Sequence, residues 1–112
     1  MVKSFSIKFM SMKEQKFNTC GYWTEDEEGN VEIWITPYPD DWRYGICVLA
    51  HELAEWAWCK ANGITTAMAD AFDQTYEEMY NAVTIPVDTD PGDDPKCCYY
   101  QGHQWGNHCE RL

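Results

Sequence analysis

Apolar and polar residues alternate over Ser4–Met10, where Phe5, Ile7 and Phe9 are spaced by Ser6 and Lys8. A period of two predicts a half-buried strand. The same alternation in Val31-Glu32-Ile33-Trp34-Ile35 predicts another, and Gly21–Thr24 gives a short strand between them. The acidic run Glu25–Asn30 is the turn joining the last two, and its Glu28-Gly29-Asn30 supplies residues that accept positive φ. The expectation over residues 1–37 is a small antiparallel sheet.

Pro37 and Pro39 end the third strand, and Asp40 or Asp41 suits an N-cap. Trp42–Ala61 then runs without proline and with a single glycine, Gly45, before Asn62-Gly63 offers a left-handed stop. Twenty residues make a helix about 30 Å long. It is apolar on most of its circumference, which predicts a central buried helix. Thr65 or Thr66 caps a second helix reaching about Ala82, with Ala69, Phe72, Tyr76 and Met79 on one face. These two helices form a hairpin over 41–83. Val87–Lys96 is a loop by composition, and Cys97–Leu112 is a short aromatic tail rich in Cys and His, so 84–112 is loop and tail. The fold class is α+β: one domain over 1–112, its sheet packed on the long helix and one or two further helices.

A chain of 112 residues that is 45% hydrophobic and 15% aromatic can bury a core, unlike a disordered acidic tail. Small domains bury only about two-thirds of their unfolded surface, so a metal or partner subunit would help. The net charge of -11 argues against general nucleic-acid binding. No run of apolar residues is long enough to span a membrane. Ser and Lys interrupt Met1–Met12, which does not read as a signal peptide. An intracellular setting follows, which favours reduced thiols or metal ligands for the six cysteines, with a disulfide from Cys97 or Cys98 to another cysteine as the alternative. Cys47 and Cys59, about 18 Å apart along one helix, cannot pair.

The long helix carries its chemistry in an apolar stretch. Within Cys47–Cys59 the ionisable side chains besides the thiols are His51, Glu52 and Glu55. His51 and Glu55 lie one turn apart on one face, with Glu52 beside them. Such groups are costly in an apolar setting unless paired or ligated. His-Glu-x-x-Glu is one letter from the His-Glu-x-x-His helix of zinc hydrolases, in which the first and last residues hold a divalent metal. The Glu between them acts as general base on metal-bound water. A His51–Glu55 salt bridge that merely satisfies the helix is the structural alternative. Minimal zincins hold extended peptide on an edge strand beside this helix, and the strand Val31–Ile35 leads directly into it here. A third ligand is offered by His103, His108 or Asp73.

The run Leu49-Ala50-His51-Glu52-Leu53-Ala54-Glu55 is followed by Ala71-Phe72-Asp73, Pro91-Gly92-Asp93-Asp94-Pro95, Tyr99 and His103. Over residues 31–111 this succession resembles a family of small uncharacterised phage and prophage proteins with a His-Glu-Leu-x-Glu helix. The resemblance implies a location in the host cytoplasm. It favours His103 over His108 as third ligand and makes Asp73 a further candidate. This chain departs from the family pattern in Cys97-Cys98 and in its short stretch after His103.

The combined reading is a zincin-like hydrolase of peptide or amide bonds with Zn²⁺ on His51, Glu55, His103 and Asp73, and Glu52 as base. Mg²⁺ or another divalent ion is the alternative cofactor. A non-catalytic, metal-stabilised binder of a host protein is the competing class. A third arises because Glu52-x-x-Glu55 and Asp70-x-x-Asp73 resemble the Mg²⁺ carboxylates of all-α nucleoside-triphosphate pyrophosphohydrolases. In the tail, Cys98, His103, His108 and Cys109 approach a structural zinc spacing. An exposed subset of Trp42, Trp56 and Trp58 would form a homodimer patch.

Overall fold

Val31, Ile33 and Ile35, all completely buried, make Asn30–Ile35 (β3) the central strand of a three-stranded sheet. The computed structural model describes residues 1–82 and 90–111. The strands Ser4–Phe9 (β1) and Gly21–Glu25 (β2) flank β3 in the order β1-β3-β2. Residues 83–89, including the first part of the loop read over Val87–Lys96, lie outside the described residues.

The α+β class holds, but the sheet is mixed. β2 pairs antiparallel with β3 while β1 pairs with it in parallel, Phe5 opposite Val31 and Phe9 opposite Ile35. Alternation reveals strands without their direction. The tight turn at Asp26–Gly29 couples β2 to β3, with Gly29 at φ +92° and Asp26 Oδ1 accepting from the Glu28 and Asn30 amides. The free edge of β3 is then left for β1. Val31–Ile35, expected to border the active helix as an edge strand, is therefore the middle strand.

Trp42–Ala61 (α1) starts on Asp41, whose side chain accepts from the Arg43 amide at 3.1 Å, and stops at Asn62 before Gly63 at φ +74°. Thr65 caps Thr66–Asn81 (α2). α1 is less enclosed than its mostly apolar circumference predicts. Its buried positions are Gly45, Val48, His51, Glu52, Glu55 and Cys59, while Trp42, Tyr44 and Ile46 are exposed. The ionisable residues thus lie on the inward face. α1 packs over β3 and β2, so β1 overhangs and is exposed along its length instead of half-buried. The tail coils into a third helix, Tyr100–Cys109 (α3), which packs along α1.

Candidate metal centre

Two helices bring the site together. His51 and Glu55 project from one face of α1, and α3 delivers His103 from the opposite side. The approach is close because glycine stands where a side chain would intrude. A Cβ on Gly106 would lie 2.9 Å from three atoms of the His51 ring, and one on Gly102 would lie 2.9 Å from Trp58. A Cβ on Gly92, in the short 3-10 turn Pro91–Asp93, would come within 2.5 Å of the His103 ring. The two imidazoles are fixed between α1, α3 and this turn, with ring centroids 4.7 Å apart.

Three atoms converge. His51 Nε2 lies 3.1 Å from Glu55 Oε2, His103 Nδ1 lies 3.0 Å from that oxygen, and the two nitrogens are 3.2 Å apart. All three residues are buried. Their other polar atoms are engaged elsewhere. Glu55 Oε1 accepts from Trp23 Nε1 at 3.0 Å, and His51 Nδ1 donates to Glu110 Oε1 at 2.8 Å. His103 Nε2 faces Asp93 at 3.3 Å and Asp90 at 3.5 Å. With the ring protons assigned to these outer carboxylates, the inner nitrogens of neutral imidazoles present lone pairs. Three acceptors then point at one spot, an arrangement that needs protons or a cation between them.

Protonation is one way to fill it. Burial disfavours the charged form of His51, but its contacts with Glu55 and Glu110 outweigh this and raise its pKa. Burial likewise opposes charge on His103, yet Glu55, Asp90 and Asp93 push its pKa up to about 9. Burial alone would raise Glu55, and the hydrogen bonds from His103 and His51 hold it below the usual carboxylate range. A divalent ion is the other way. Bonds of about 2.0–2.1 Å separate ligand atoms by about 3.0 Å in octahedral geometry and about 3.4 Å in tetrahedral. The observed edges of 3.0–3.2 Å fall within or near that window. Carboxylates behind each histidine are what metal-ligating imidazoles ordinarily carry. The buried His51-Glu55-His103 cluster can therefore hold a metal ion.

The remaining candidates separate. Glu52 is buried with Oε2 3.7 Å from His51 Nε2, beside the triangle rather than in it. Burial first, and then the charge of Glu55, raise its pKa well above the ordinary range. Asp73 lies outside the triangle too. It lines the same cavity, and its Oδ1 accepts from the buried Tyr99 hydroxyl. Asp70 is taken by Lys16 and the Tyr22 hydroxyl, so the paired-carboxylate arrangement of Glu52, Glu55, Asp70 and Asp73 does not form a converging set among the described residues. His108 is exposed on α3, edge-on to Trp105. No cysteine joins a converging set among the described residues, and all six are free thiols, which removes the tail's structural zinc spacing. No local pattern in the sequence marks Glu110, Asp90, Asp93 or Trp23 as site residues. Asp93 sits in the Pro-Gly-Asp-Asp-Pro run, but only folding shows that it backs His103.

Burial pushes the Asp73 carboxyl up to about 7, helped by Glu55 and Asp70 and opposed by the Tyr99 hydrogen bond. A raised acid contributes stability below its unfolded pKa and loses that contribution as pH rises through the folded value. Asp73→Asn keeps an acceptor for Tyr99 and cannot ionise. Urea denaturation is expected to find it about 1–2 kcal/mol more stable than the parent at pH 8, with little difference at pH 4. Its metal affinity should stay unchanged, and a large loss would make Asp73 a ligand.

The triangle lies in the wall of a cavity of about 440 Å³. β2 forms another wall. Cys20 O accepts from the Thr36 amide and Asn30 O from the Asp26 amide, so alternation turns the backbone groups of Gly21 and Trp23 away from β3. Both residues line the cavity. None of the protein families, curated proteins or solved structures compared with this chain matches it.

Proposed function

We propose that this protein is a zinc-dependent hydrolase of peptide or amide bonds, with His51, Glu55 and His103 holding the ion and Glu52 acting as general base. One observation carries the reading: three buried acceptors meet at metal-ligand spacing, and both histidines are backed by carboxylates. Two imidazoles and a carboxylate are a donor set used by catalytic zinc and do not suit Mg²⁺. When bound, the ion would polarise a carbonyl oxygen and acidify water. Glu52, beside the triangle, would take a proton from the attacking water and return it to the departing amine. Gly21 O already accepts from Thr19 Oγ1 at 2.8 Å, so the Gly21 amide and the outward backbone groups of Trp23 would be what pairs with an extended substrate on β2. Asp70, Asp73, Glu77 and Glu110 line the cavity, and no Lys or Arg does so among the described residues. Its charge favours a substrate carrying a positive group next to the scissile bond.

A second reading has its own support. An ion on the triangle would staple α3 to α1, which would stabilise a small domain without any turnover. That is the metal-stabilised binder of a host protein, in the cytoplasmic setting implied by the resemblance to phage proteins.

Zinc titration of metal-free, tag-free protein tests what the two readings share. The expected result is one ion per chain, raising the melting temperature, with His103→Ala losing more than about 100-fold in affinity. Equal zinc uptake by His103→Ala would remove the site.

A further inference from the structure

We infer that the protein is a two-fold dimer joined through β1, making one continuous six-stranded sheet with the second copy. The argument is independent of the metal centre. In β1 the Met10 amide donates to Ile35 O and the Ser4 amide to Gly29 O. In a parallel ladder this turns the backbone groups of even-numbered residues towards β3, and those of Phe5, Ile7 and Phe9 outward. The same three residues place their side chains on the α1 side, where Phe5 meets Trp56 edge-on and Phe9 lies beside Gly45. One set of residues therefore carries both the open hydrogen-bonding edge and an apolar face.

Only some registers satisfy both at once. Antiparallel pairing centred on Ile7 sets Ile7 against Ile7 of the second copy, and Phe5 against its Phe9. Every outward N–H then meets an outward C=O, and the apolar rows merge on one face. Lys8 falls opposite Ser6 of the second copy, so no like charges oppose. Its ammonium is already paired with Glu32 on the other face. In a chain of net charge -11, β1 contains no carboxylate, which suits it to self-contact. No proline guards the edge.

The area is also sufficient. Phe5 is 41% exposed, Ile7 42%, Phe9 66%, and beside Gly45 Ile46 is 46% and Trp42 78%. With aromatic side chains of about 150–250 Å² each, this leaves on the order of 500 Å² of apolar surface per copy. Strand backbone and flanking side chains bring that near the roughly 800 Å² per partner typical of stable interfaces.

Sedimentation equilibrium on the intact chain at about 50 µM, within the range that stable interfaces hold, is expected to give twice the 13.1 kDa chain mass. Ile7→Pro deletes an amide that β3 does not use, and Phe9→Glu adds a charge to the seam. Both should be monomeric with the parent's circular dichroism spectrum. Hydrogen exchange gives a second readout. The amides of Phe5, Ile7 and Phe9 should exchange more than about 100-fold slower at 50 µM than after dilution to monomer. A monomeric parent, an assembly larger than two, or a dimer that persists in both variants would overturn the proposal. So would rapid exchange at these three amides in the parent dimer.

Discussion

Glu55→Ala is expected to destabilise the metal-free protein by about 3–5 kcal/mol, because the carboxylate shared by Trp23 Nε1 and by the His51 and His103 rings in their protonated forms disappears. Trp23 Nε1 would lose its acceptor, and His51 and His103 would be left facing each other across 3.2 Å with nothing between. Domains of this length are stable by about 5–15 kcal/mol in total. A fall in melting temperature of about 15 °C or more should follow, visible by circular dichroism. Added zinc should restore little of it, since the variant keeps only two ligands. Glu55→Gln separates the roles. Its amide oxygen can still accept from Trp23, so it should lose zinc affinity with a smaller loss of stability. A Glu55→Ala variant that melts with the parent would mean the cluster carries no net energy.

Glu52→Gln is the second large effect, and it falls on rate. Burial, and then the charge of Glu55, disfavour the charged form of the Glu52 carboxyl, so a neutral amide of the same shape should be tolerated in the fold. Zinc content should match the parent. Removing a general base typically lowers turnover by about 10²–10⁴-fold. A digest of a mixed peptide library, with new N-termini read by mass spectrometry, makes the comparison. Cleavage at the parent's rate would show that Glu52 is not the base. Absence of cleavage by both zinc-loaded proteins would favour the metal-stapled binder.

Local patterns in the sequence were enough to outline most of the fold. The spans of α1 and α2 follow from Asp41, Asn62-Gly63 and Thr65, whose capping chemistry is written within a few residues. The three strands follow from period-two alternation. Their order and direction do not, because pairing of β1 with β3 depends on which edge the Asp26–Gly29 turn leaves open. α3 was not foreseen as a helix. Gly102 and Gly106 weaken helix propensity, and only packing against α1 explains their presence. At the site, the one-turn spacing of His51 and Glu55 pointed to the triangle, and His103 closes it. Asp73 reads as a ligand in the sequence because a carboxylate one or two turns along a helix looks the same whether it faces a cation or a tyrosine hydroxyl. Glu110 and Trp23 are distant in sequence from the residues they support, and only the fold brings them there.

The imidazoles of His51 and His103 rest on bare backbone at Gly106 and Gly92. Their orientation is thus specified by atoms that are missing. Donor exchange at positions 51, 55 and 103 could retune which ion is preferred while the mould stays intact, whereas a single methyl on either facing glycine would deform the mould with every donor still in place. Transplanting the three donors into another scaffold would reproduce the chemistry only if those two vacancies travelled with them.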